Sequence, residues 1–145
     1  MERGKSMSGN LKSQLSKKNK YYLPKYRTLE LTNFCLQYPE WKRICSGVDE
    51  LYFQNSNLDK ILSKSNTLLD RTADIAINHI RYSNWIKLLE ETAYRTDESL
   101  CNYILLSVTE GVKYETLKSR LNIPCGRDMF YDRRRKFFWL LDKER

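Results

Sequence analysis

The chain has 145 residues, a hydrophobic fraction of 41%, a charged fraction of 30% and a formal charge of +8. That is enough apolar material for one core and too little for a large catalytic scaffold with a deep cleft. Five glycines and three prolines argue against many short strands joined by tight turns. The longest apolar runs, Ile104 to Leu106 and Phe137 to Leu141, fall far short of the ~20 residues of a membrane-spanning helix. Met1 to Lys20 has no apolar stretch of the signal-peptide kind, so a cytoplasmic protein that neither spans nor crosses a membrane is expected.

The first twenty residues form a Ser-, Lys- and Asn-rich arm without periodicity, expected to be mobile, with Lys12, Lys17, Lys18 and Lys20 as its cations. Residues 21–47 form an N-terminal helical segment. Pro24 suits the first turn of a helix that carries Leu31, Phe34 and Cys35. Pro39 interrupts, and Glu40 to Cys45 makes a short second helix ended by Gly47. Residues 48–70, rich in Asn, Ser and Asp, are expected to be a loop or weakly helical linker.

Residues 71–145 are read as a helical core. Arg71 to Thr96 is its strongest helix, with Ile75, His79, Tyr82, Ile86, Leu89 and Ala93 on one stripe. The stripe suits either an intramolecular core or a homodimer seam. Thr96 or Asp97 caps the next helix, in which Leu100, Tyr103, Ile104 and Val108 share a face, and Gly111 ends it. The expected fold is all-α.

The last thirty-five residues carry the functional signal. Lys113 to Leu121 is a short helix with Tyr114, Leu117 and Leu121 inward, and Asn122 to Gly126 is a turn with Ile123 as its apolar plug. Arg127 to Leu141 is a longer basic helix, with Phe130, Phe137 and Leu141 facing the core and Arg134 at its edge. Helix, short turn and basic helix is the helix-turn-helix layout. The net charge is +5 in residues 1–20, −2 in 21–110 and +5 in 111–145. Cations concentrated at the two ends point to a polyanion, here double-stranded DNA.

Other chemistry finds little support. Cys35, Cys45, Cys101 and Cys125 form no CxxC pair and match no common zinc spacing, so reduced thiols are expected, with Cys35 and Cys101 packed as small hydrophobes. His79 has no evident partner for metal or base chemistry. There is no Gly-rich phosphate loop, HExxH or nucleophile elbow, and the carboxylate pairs Asp49-Glu50, Glu90-Glu91 and Asp97-Glu98 diverge on a helix. Neither enzyme activity nor a cofactor or metal is expected.

Gly111 to Arg145, with Gly-Val-Lys-Tyr-Glu-Thr-Leu near its start and Met-Phe-Tyr-Asp-Arg-Arg-Arg-Lys-Phe-Phe-Trp-Leu-Leu-Asp-Lys-Glu-Arg at its end, resembles phage transcriptional regulators of the RinA/ArpU type. Those carry a helix-turn-helix similar to region 4 of sigma factors, with a tyrosine- and arginine-rich recognition helix. Ser16 to Arg27 followed by Phe34 to Lys42 resembles small proteins of clostridial prophages. The two stretches cover about half of the chain. Where the regulators tend to place Ser or Thr before the recognition helix, this chain has Cys125-Gly126-Arg127-Asp128. The resemblance implies a phage or prophage DNA-binding protein in a bacterial host, acting as an activator of late genes.

On this reading Arg127, Tyr131 and Arg135, at i, i+4 and i+8, face the groove. Arg133, Arg134 and Lys136 contact phosphates, flanked by Lys113, Lys118 and Arg120, and the arm lysines Lys17, Lys18 and Lys20 add nonspecific contacts. Two alternatives stand beside it. One is an anti-CRISPR-like inhibitor that binds a host nuclease or ribonucleoprotein through Tyr38, Trp41, Tyr52, Phe53 and Trp85. The other is a small terminase-like packaging subunit, although that class usually places its DNA-binding unit first.

Overall fold

The computed structural model describes residues 17–54 and 66–145, with side chains over 17–47 and 71–145. The basic arm up to residue 16, including Lys12, and the middle of the expected linker, 55–65, lie outside the described residues. Every regular element among them is an α-helix: α1 (Lys25–Leu36), α2 (Tyr38–Gln54), α3 (Asn66–Thr96), α4 (Cys101–Glu110), α5 (Tyr114–Leu121) and α6 (Arg127–Glu144). The protein is all-α, and none of these helices is long and apolar enough to cross a membrane.

Two helix boundaries differ from expectation. The break between α1 and α2 falls at Gln37, because Pro39 is tolerated in a first turn, where its missing N–H has no helical partner. Gly47 does not end α2, which continues to Gln54. A glycine inside a helix weakens it by about 1 kcal/mol relative to alanine but does not stop it without a left-handed backbone. Both ends of the expected linker are therefore helical, since α3 begins at Asn66.

The chain divides into two compact units. Gln37 to Leu88 form one, and its described core is aromatic. Trp41 is 2% exposed and sits 5.1 Å from the Trp85 ring and 6.3 Å from Tyr82. Cys45 is buried beside them, its thiol 3.9 Å from the His79 carbonyl. Toward the start of α3 the expected stripe fades, with Ile75 exposed; Ile77 and Ile80, off the stripe, are exposed as well.

The other unit comprises the chain up to Leu36 together with Leu89 to Arg145. In it α1 packs on α4 and α6, and α4 packs on α6. Leu31, Cys35, Leu89, Ile104, Leu117, Ile123, Phe130, Phe137 and Leu141 are each 0–1% exposed, forming one core. Burying a large aliphatic or aromatic side chain of this kind contributes about 1.5–3 kcal/mol. Polar links join the outer ends of the helices: Arg27 donates to Asp142 at 2.6 Å, and the Arg145 guanidinium lies 3.8 Å above the Phe34 ring. Leu121, expected inward, is 45% exposed, and Cys101 is only half-buried.

Candidate nucleic-acid interface

The site is built from α4, α5 and α6. Gly111 ends α4 at φ +68°, donating its N–H to Ser107, and this left-handed residue is tolerated because it lacks a side chain. Lys113, extended, opens α5. Asn122 closes α5 at φ +50°, and the N–H groups of Asn122 and Ile123 both reach the Leu117 carbonyl. Asparagine tolerates this conformation better than any branched residue. The closure turns Ile123 inward, where it is 1% exposed, as the plug of the turn. Gly126 then opens α6, accepting from the Phe130 N–H at 3.1 Å.

Tyr114 and Phe130 fix the two helices. Their rings lie 5.7 Å apart, and the Tyr114 hydroxyl donates to the Cys125 carbonyl at 2.7 Å. A second tie runs from the α3–α4 turn. Asp97 Oδ1 accepts from the Ser99 and Leu100 N–H groups, so Asp97 caps that turn, while Oδ2 accepts from Arg133 Nε at 3.1 Å. Burial raises the Asp97 carboxyl, but these donors and the Ser99 hydroxyl outweigh it and hold it below the ordinary carboxylate range. Thr96 does not cap; its hydroxyl bonds back to Thr92 within α3.

The exposed rim of this assembly carries four cations interleaved with the exposed acids Glu110, Glu115 and Asp128. Lys113, Lys118 and Arg120 are exposed on and beside α5, and Arg127 is exposed at the start of α6. Arg127 pairs with Glu115 at 2.7 Å and stacks on the Tyr131 ring at 5.5 Å. Both partners of that pair are more than half exposed, so it is worth at most about 1 kcal/mol and yields readily to a phosphate or a base edge. Lys17, Lys18 and Lys20 are also exposed, with Lys20 over the Tyr21 ring.

Further along α6 the arginines turn from solvent to structure. Arg133 is held by Asp97 and Asp132. Arg134 donates to Ser107 Oγ at 3.2 Å and lies over the Phe138 ring, and burial lowers its pKa. Arg134 is thus a packing residue between α4 and α6, a correction to its expected phosphate role. The spacing that marked it as cationic surface does not register that α4 covers this side of α6. Arg135 is half-buried, as Tyr131 is, and lines a recess with Tyr21, Leu23 and Thr28. Lys136 is half-buried as well.

The sequence reading missed two members of this site. Phe138 joins Phe137 in the core at 4% exposure, and Asp97 reaches across to α6. An i, i+4 relation between Arg134 and Phe138 was the available signal for the first; nothing local marks the second. Among the described residues no group of three or more His, Cys, Asp or Glu side chains could hold a metal ion. Comparison with protein-family models, with curated proteins and with solved structures finds no match in any of the three.

Proposed function

We propose that this chain binds double-stranded DNA through α5, its turn and the first turns of α6, as a phage or prophage transcriptional regulator of the type its C-terminal segment resembles. The observation that carries the reading is the arrangement at the turn. A plugged, hydrogen-bonded junction presents the start of α6 outward, with Arg127, Lys113, Lys118 and Arg120 exposed around it. In a helix-turn-helix this is the part that enters the major groove, while flanking cations engage phosphates. Arg127 and Tyr131 are the base-reading pair in this proposal. Lys113, Lys118 and Arg120 neutralise phosphates, and Lys17, Lys18 and Lys20 supply further nonspecific contacts.

The test is fluorescence-anisotropy binding to random duplexes and to fragments of the phage or prophage DNA that encodes the chain, at two salt concentrations. Selective binding that persists at the higher salt supports a regulator, and footprinting then gives the operator. Arg127→Ala should lower affinity for the selected site about 5- to 150-fold and relax specificity. Lys118→Ala should weaken all duplexes alike and reduce the salt slope by about one. Weak binding, equal on every duplex and lost with salt, overturns the proposal and turns the search to a host nuclease or ribonucleoprotein.

A further inference from the structure

Within the unit Gln37 to Leu88, α3 turns Tyr82 and Trp85 onto Trp41 and buries Ile86. Its other side is bare. Ile77 and Ile80 are 54% and 60% exposed, and Ala73 and Asn84 are exposed one step beyond them at either end. Positions 73, 77, 80 and 84 advance by four, three and four residues, the step that keeps side chains on one stripe of a helix. With about 3.6 residues per turn, this stripe falls on the side of α3 opposite Tyr82 and Ile86. It is distinct from the stripe through Ile75, His79 and Tyr82.

Single exposed apolar side chains are ordinary and need no partner. What sets this stripe apart is the order of the charges beside it. Asp74 and Arg81 lie seven residues apart, so they share one flank of the stripe. Both are exposed, and neither forms an ion pair among the described residues. Lys87, the next position along the stripe, is charged, so the apolar run ends at Asn84. Laid antiparallel on a second copy, with Ile77 opposite that copy's Ile80, the stripe is its own complement. The same alignment sets Asp74 opposite Arg81 of the second copy, and Arg81 opposite its Asp74. A parallel alignment sets Arg81 opposite Ala76 instead and makes no such pair.

We infer that this face of α3 docks a second copy of the chain, antiparallel, with Ile77 and Ile80 at its centre and two Asp74–Arg81 ion pairs on its flank. The contact is isologous, so it closes as a dimer and does not propagate into a filament. The isoleucines leave water, and the charges fix direction and register. About three helical turns of each copy take part, which places the contact among interfaces below about 1,200 Å² that associate reversibly. The dissociation constant is expected on the order of 100 μM. The inference is independent of DNA binding.

Sedimentation equilibrium of the full-length protein without DNA, at low salt and up to about 1 mM protein, tests it. The expected result is a monomer–dimer equilibrium. Replacing both Ile77→Asn and Ile80→Asn should weaken it at least tenfold, with an unchanged circular dichroism spectrum because both side chains are exposed. Asp74→Arg and Arg81→Asp each set like charges against one another twice, and each should weaken dimerisation about tenfold. Mixing these two variants makes every facing pair opposite in charge again and should restore the dimer. A role for either residue within a single chain would not be rescued by mixing. A monomer at every concentration overturns the inference and leaves the face to a different protein. A dimer that survives the loss of both isoleucines shows that the copies meet elsewhere and overturns it too. A mixture of the charge variants that stays monomeric overturns the antiparallel pairing.

Discussion

The Tyr114 hydroxyl donates a 2.7 Å hydrogen bond to the Cys125 carbonyl, joining the first residue of α5 to the far end of its turn. The bond spans the junction that sets the angle between α5 and α6. The Tyr114 ring is separately anchored on Phe130, so Tyr114→Phe deletes the bond and keeps the packing. The expected loss is about 1 kcal/mol, read as a lower urea midpoint at unchanged slope. An unchanged midpoint would show that water replaces the hydroxyl without cost.

Ile123 and Leu121 make a sharper contrast. Both are aliphatic and flank the same cap, but Ile123 is 1% exposed and Leu121 45%. Ile123→Ala should cost about 2–5 kcal/mol by opening a cavity beneath the turn. Leu121→Ala should stay within about 0.5 kcal/mol. Thermal unfolding of the two variants side by side checks the pair.

The same pair shows where the sequence is legible. Ile123 was readable as a plug because a tight turn between helices needs one apolar residue turned inward. Phe130, Phe137 and Leu141 were readable from their spacing along one helix face. Leu121 differs because periodicity runs to the last residue of α5, but the inward position there is taken by Ile123, which the Asn122 cap directly after Leu121 turns into the core. Tertiary partners were harder to read: Asp97 and Arg133 are 36 positions apart. The all-α architecture and the α5–turn–α6 boundaries were legible, whereas the split of the arginines between core and surface depended on which faces α4 and the residues before α1 cover.

Asp97 gives the pH dependence. Burial works to raise its pKa, but the donors from Ser99, Arg133 and Leu100 prevail, so the folded value is depressed. Its stabilisation is therefore fully present above the ordinary aspartate pKa and is lost as pH falls through the depressed one. Acid unfolding followed by far-ultraviolet circular dichroism should show this loss below about pH 4. Asp97→Asn keeps a capping oxygen and removes the charge, and it should flatten that limb. Asp97→Ala should cost about 1 kcal/mol at neutral pH through the lost cap alone. Identical acid limbs for the parent protein and Asp97→Asn would refute the assignment.

Cys35, on the inward face of α1, is fully covered, and burial pushes its thiol up to about 12 against the opposing pull of Arg134 and Arg145. Only the thiolate attacks an alkylating reagent, so Cys35 should react on the order of a thousandfold more slowly than an unperturbed thiol. Cys101 and Cys125 are half-buried and should be modified first. Mass spectrometry of peptides after timed alkylation reads the order directly. Early labelling of Cys35 in the folded protein would contradict the packing of α1 against α4 and α6.

Arg134 discriminates between two uses of a cationic helix. A phosphate contact can be replaced by methionine with little change in stability and a clear loss of DNA affinity. A packing arginine behaves in the opposite way. Arg134 bonds Ser107 across the α4–α6 contact and covers the Phe138 ring, and its long stem fills space that a shorter residue would leave empty. Arg134→Ala should therefore destabilise by about 2–4 kcal/mol, combining a cavity with an abandoned hydroxyl. Arg134→Met retains most of the volume and should cost about 1–2 kcal/mol, the part due to the hydrogen bond and the ring contact. In salt titrations Arg134→Met should leave the DNA-binding slope unchanged, while Lys118→Ala lowers it. A reduced slope with intact stability in Arg134→Met would return Arg134 to the phosphate-binding surface.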